Sequence, residues 1–211
     1  MRIFLLLIAL FLQTSAFSFS IIQKPIIFDD TRKKLTLEYI KAHYGIDTDS
    51  IVIKPTMIVL HWTELATLKE SFDEFYPTHL GSNRADIASS GELNTSVPYL
   101  VDRDGTIYQL MPDNWMARHV IGLNYSSIGI ENVGGVNSID DLTEAQAESD
   151  AYLVRMLQKK YPDIKYLIGH YEYLNYKNTP LWLEKDSNYH TDKKDPGKDF
   201  VDKVKKYSGW N

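Results

Sequence analysis

Met57-Ile58-Val59-Leu60 is a continuous apolar run that follows Pro55 and closes on His61 and Trp62. It is short, and apolar at successive positions rather than alternate ones, which suits a strand buried on both faces. Such a strand lies inside a sheet that helices cover on both sides. It therefore commits the chain to an α/β architecture in which other segments supply neighbouring strands and amphipathic helices.

Those segments are present. Residues 97–101 and 106–111 flank Asp102-Arg103-Asp104-Gly105, an Asp-Gly hairpin signal. Residues 128–133 form a further apolar strand interrupted by Glu131, and 166–170 a short strand ending in His170. Leu35, Leu37, Ile40 and Tyr44 recur at roughly helical spacing before Gly45, a C-cap residue. Residues 65–76 place Leu68, Phe72 and Phe75 on one helical face and Glu70, Asp73 and Glu74 on the other, stopping before Pro77. In 141–160, Thr143 and Gln146 have capping-box spacing ahead of an Ala147, Ala151, Val154 and Leu157 stripe. Residues 200–207 predict a terminal helix, 20–31 an extended arm and 171–192 an aromatic, polar loop. The Gly-, Ser- and Asn-rich stretch 78–95 is long for a connector and reads as the rim of a substrate groove.

At 211 residues with 44% hydrophobic content, the chain buries one full core without needing a second domain. A formal charge of −5 excludes the basic stripe of a nucleic-acid binder. The short cationic patches Arg32-Lys33-Lys34 and 203–206 read as solvated faces. Arg2, the apolar stretch 3–12 and Thr14-Ser15-Ala16 spell a secretory signal peptide over 1–20, cleaved after Ala16 or a few residues later. The alternative, an uncleaved anchor, meets an apolar stretch shorter than the ~20 residues a spanning helix needs. The expected organisation is a signal peptide (1–20), an N-terminal arm and helix (21–56) and a main domain (57–211). Export to a periplasm or the medium follows, with no stable membrane insertion after cleavage. The chain has no Cys, so redox chemistry says nothing of compartment.

Three residues draw attention as metal ligands: His61 at a strand end, His170 at another, and Asp195 in Lys193-Lys194-Asp195-Pro196-Gly197. Two imidazoles and a carboxylate leave a fourth tetrahedral position open for water, the pattern of a catalytic zinc site. Spacing alone is weak support, since no short local zinc motif is present, and His61 taken singly reads as a core histidine with satisfied hydrogen bonds rather than as a ligand. Glu131 has two readings: strand alternation turns it to solvent, or it faces a cleft, a cation or a metal-bound water. His43 reads as a surface or packing residue and His79 as solvent-exposed.

Motif order adds what spacing lacks. Ile58-Val59-Leu60-His61-Trp62-Thr63, the hairpin from Val97-Pro98-Tyr99 to Gly105-Thr106-Ile107, Ser127-Ile128-Gly129-Ile130-Glu131, Ile168-Gly169-His170 and Lys193-Lys194-Asp195-Pro196-Gly197 follow one another as in the zinc-dependent N-acetylmuramoyl-L-alanine amidases. Over 57–200 the chain resembles this family, which extends to phage amidase-type lysozymes and peptidoglycan recognition proteins. The resemblance implies one α/β domain with a central mixed β-sheet flanked by helices. It also implies one zinc ion held by His61, His170 and Asp195, with Glu131 as catalytic Glu and Lys193 as the Lys two places before the metal-binding Asp. His119 falls in a substrate-contacting loop where relatives have His after Trp; here Arg118 precedes it. Where some relatives carry a catalytic Tyr before the hairpin, this chain has Val97, which shifts acid/base work onto Glu131. The implied activity is hydrolysis of the amide between N-acetylmuramic acid and L-alanine in peptidoglycan or muropeptide fragments, by a monomer. The competing readings are a recognition protein that binds peptidoglycan without cutting it, and a zinc peptidase acting within the stem peptide.

Overall fold

The computed structural model describes residues 19–210. The expected signal peptide lies outside the described residues except for Phe19 and Ser20. Among the described residues no helix is long and apolar enough to cross a membrane.

Strands β1 (Ile21–Gln23), β2 (Met57–Trp62), β3 (Tyr99–Val101), β4 (Ile107–Gln109), β5 (Ser127–Asn132) and β6 (Tyr166–Gly169) form one six-stranded sheet, ordered β1-β4-β3-β5-β2-β6. β3 and β4 are the antiparallel hairpin turned by Gly105, and the other pairings are parallel, so the sheet is mixed. All six residues of β2 are buried, as its unbroken apolar run requires. The arm does more than lie on the domain, because β1 extends the sheet beside β4.

Helices α1 (Asp30–Tyr39), α2 (Leu68–Phe75), α3 (Glu144–Lys160) and α4 (Lys198–Ser208) supply the layers. Alternation along the strands sorts side chains between the two faces. Ile58, Leu60, Ile128 and Ile130 pack on one face with Ala147, Val154 and Leu157 of α3 and Val201 and Val204 of α4. Met57 and Val59 pack on the other with Tyr39 of α1 and with Ile40 and Tyr44 of the π-helical turn Ile40–Tyr44 that continues it. Gly45, at φ 65°, ends that turn in the left-handed region a C-cap glycine favours.

Several boundaries differ from the expected ones for local reasons. α1 starts at Asp30, within the stretch read as arm, because Asp29 accepts from the Arg32 amide and caps it. α2 starts at Leu68, not at 65, because Thr67 and Glu70 form a capping box. α3 starts at Glu144, behind the Thr143–Gln146 capping box. β6 ends at Gly169, so His170 opens the 3-10 turn His170–Tyr176 instead of closing the strand.

Candidate active site

Parallel pairing brings the carboxyl ends of β5, β2 and β6 to one edge of the sheet, where sites in α/β folds gather. His61 is in register with Glu131 on β5, and Leu60 with Gly169 on β6, which sets His61 next to His170. Register partners share a face, so His61 and Glu131 point together, away from α3 and α4. Asp195 arrives on the segment leading into α4, and its carbonyl accepts from the Tyr171 amide at 3.0 Å.

The Nδ1 atoms of His61 and His170 lie 3.0 Å apart, and both reach Asp195 Oδ2, at 3.2 and 3.0 Å. All three side chains are buried. Burial and the His170 charge lower the His61 pKa to about 4, against the opposing pull of Asp195. Burial likewise lowers that of His170. Burial alone would raise the Asp195 pKa, but the charges and hydrogen bonds of His170 and His61 hold it well below the usual carboxylate range. Neutral imidazoles and an ionised carboxylate are the forms that ligate a metal. A tetrahedral ion with Zn–N and Zn–O bonds near 2.0–2.1 Å needs donor edges of roughly 3.3 Å, close to the triangle observed. The donor set fits zinc.

His61 also has an outer support. Its Nε2 meets His119 Nδ1 at 2.9 Å, and His119 Nε2 meets Ser127 Oγ at 3.2 Å. A hydrogen bond on the second ring nitrogen fixes which nitrogen of a ligand histidine faces the metal. Gly129 makes room for this: a Cβ there would meet the His119 ring at 2.9 Å. Both His119 nitrogens are thus engaged with protein, although the residue also lines the cleft where its sequence position suggested substrate contact.

Glu131 is 8% exposed and lines the same cleft, so the solvent-facing reading is excluded. β5 is flanked by β3 and β2 and all six of its residues are buried. Burial, reinforced by the Asp195 charge, pushes the Glu131 pKa well above the carboxylate range, with Lys193 opposing. Its Oε2 has no protein partner. Lys193 lines the cleft, half-buried, while Asp192, Lys194 and His190 are exposed. The cleft measures about 560 Å³ and also takes Asn83, Arg84 and Asp86 from the 78–95 loop. Sequence reading placed that loop at the rim without singling out those side chains. His43 is a packing residue, stacked on Tyr39 and hydrogen-bonded to Glu184 and the Ser90 carbonyl; His79 is exposed.

The sequence profile of the N-acetylmuramoyl-L-alanine amidase family, Amidase_2, matches residues 52–198. The chain belongs to this family. Membership supports amidase activity, that of a hydrolase acting on peptidoglycan. A search of curated proteins found no match. Among solved structures, the N-acetylmuramoyl-L-alanine amidase LysC from Clostridium intestinale URNW is 20% identical, with a TM-score of 0.58 over 92% of this chain and 100% of that one. A mutant endolysin from Bacillus subtilis is 21% identical, with a TM-score of 0.51 over 91% and 100%. Peptidoglycan recognition protein-LE, solved with tracheal cytotoxin, is 16% identical, with a TM-score of 0.51 over 75% and 84%. At these identities the likeness is one of fold.

Proposed function

We propose that this member of the amidase family hydrolyses the amide joining the lactyl carbonyl of N-acetylmuramic acid to the amine of L-alanine, using one zinc ion. The convergence of His61 Nδ1, His170 Nδ1 and Asp195 Oδ2 in a cleft that also holds Glu131 carries this reading. When bound by those three atoms, zinc supplies a Lewis acid for the carbonyl and lowers the pKa of a water to about 7.

The remaining chemistry falls to the chain's own residues. Glu131 accepts the proton of the attacking water and delivers one to the leaving amine. Burial, which raises its pKa above that of an exposed carboxylate, makes it the stronger base of the two. Lys193, as a fixed positive charge on the cleft, stabilises the oxyanion developing on the lactyl carbonyl, a contribution worth about 3 kcal/mol in comparable sites. His119 holds the His61 ring in its ligating orientation through Nε2. Retention of three ligands together with Glu131 favours cleavage over binding alone. Export is part of the proposal and rests on the signal-like residues 1–16. Finding the intact N-terminus on protein confined to the cytosol would remove that part.

The test is digestion of purified peptidoglycan by wild type, His170→Ala and Glu131→Gln, with products identified by mass and metal content measured on each protein. Wild type should free L-alanine amino groups. His170→Ala should lose metal and activity together. Glu131→Gln should keep metal and lose about 10²–10⁴ in turnover. Equal activity in all three, release of reducing sugar ends, or breaks within the stem peptide would each refute the assignment. Tight binding of intact muropeptide by metal-free protein would favour a recognition role.

A further inference from the structure

Beside the cleft is a smaller alcove of about 40 Å³. It shares Arg84, Thr95, Arg118, His119, His170 and Lys193 with the cleft, so it opens off the reaction centre. Tyr39, Tyr189 and Thr191 also line it. A water needs about 10–15 Å³ of such space, so the alcove takes a group the size of a carboxylate or a few waters.

Its lining is unusually short of partners. Tyr39 Oη, Thr95 Oγ1, Arg118 Nε and Thr191 Oγ1 are all buried without a hydrogen bond. Arg118 is 3% exposed, and its other nitrogens donate to the carbonyls of Ile87, Gly91 and Leu93 and to Tyr189 Oη. None of these partners is a carboxylate. A guanidinium buried without a counter-ion is costly, and native interiors rarely leave several polar atoms unpaired in one place. One ligand relieves both: a small anion that accepts from Arg118 and the hydroxyls, with Lys193 adding positive charge. Arg84 contributes less, because Asp86 already pairs with it at 3.1 Å.

We propose that this alcove is a subsite for a carboxylate of the substrate's stem peptide. The inference rests on the amidase reading, and it orients the substrate. In a muramoyl peptide the sugars are neutral, so every carboxylate lies on the peptide side of the scissile amide. The peptide therefore runs toward Thr95 and Tyr39, and the sugar occupies the part of the cleft lined by Glu64, Leu65, Val136 and Asn137.

Arg118 also ties down the 78–95 loop through three carbonyls, so truncating it confounds folding with binding. Thr95→Val and Tyr39→Phe remove only unpaired hydroxyls, and thermal unfolding checks that the variants fold. Steady-state kinetics would compare N-acetylmuramoyl-L-alanyl-D-glutamate with the same compound fully amidated. Wild type should show a KM about tenfold lower for the acid, with similar kcat, as a charge-assisted hydrogen bond provides. The double variant should lose most of that preference by raising KM for the acid alone. If wild type cleaves acid and amide with equal KM, the subsite fails and the amidase reading stands. If it cleaves neither, the amidase reading fails, and calorimetry of L-alanyl-D-glutamate against its amide decides the subsite by itself. A preference unaltered in the double variant overturns the alcove as its source and leaves a cavity that holds water only.

Discussion

Asp150 shows what one buried side chain does to the stability of the whole. It lies on α3, fully buried, and its Oδ2 accepts from Asn132 Nδ2 at 2.9 Å. The same Asn132 nitrogen donates to the His61 carbonyl at 3.2 Å, so the pair braces the backbone beneath a proposed ligand. Asp150 Oδ1 has no partner. Burial raises the Asp150 pKa well above its ordinary 3.8, against the Asn132 hydrogen bond. The folded state therefore keeps the proton at pH values where the unfolded chain has released it. Stability falls as pH climbs from the unfolded carboxylate range toward the raised folded value. Asp150→Asn removes that slope: it should match wild type near pH 4 and exceed it at pH 7. Urea midpoints measured across this range decide the matter, and parallel pH curves for the two proteins would contradict it.

At the scale of elements, Gly129 and Thr143 show two ways a short segment serves the site. Gly129 sits on β5 at the position whose Cβ would meet the His119 ring at 2.9 Å. Gly129→Ala should push His119 off His61 Nε2 and weaken metal binding by about 10–100-fold, the usual loss when an outer partner goes. Competition against a fluorescent chelator measures it. An unchanged affinity would mean that the His61–His119 contact does not orient the ligand. Thr143 caps α3, whose apolar stripe packs on the sheet, and Thr143→Ala should cost about 1 kcal/mol in chemical denaturation with no change in metal affinity. A parallel loss of affinity would mean that α3 positions the site more directly than its packing suggests.

For the whole molecule, the three proposed ligands come from β2, from the turn after β6 and from the segment before α4. An ion joining them ties distant parts of the chain and binds only the folded state, so it adds stability by mass action. A chelator should lower Tm, zinc should restore it, and His170→Ala should unfold at a lower temperature that no longer responds to chelator. Calorimetric scans with and without chelator provide the readout. A wild-type Tm indifferent to chelator would argue against a resident ion.

Much of the fold was legible because it is locally encoded. Met57–Trp62 reads as a buried strand from its unbroken apolarity, the β3–β4 hairpin from Asp104-Gly105, and the start of α3 from Thr143 and Gln146. His61, His170 and Asp195 could be named as one ligand set because their flanking motifs keep a family's order, and the structure gathers their donor atoms. Their roles still rest on the proposed chemistry. The sequence by itself thus determined which segments become strands and helices and which residue types are available for chemistry. Tertiary structure alone decided that Glu131 faces the cleft, that His119 backs His61 through Gly129, and that Arg118 is buried without a carboxylate beside an alcove. Each of these depends on register and packing between segments far apart in the chain, and shifting β5 by one residue would turn Glu131 to the face opposite His61.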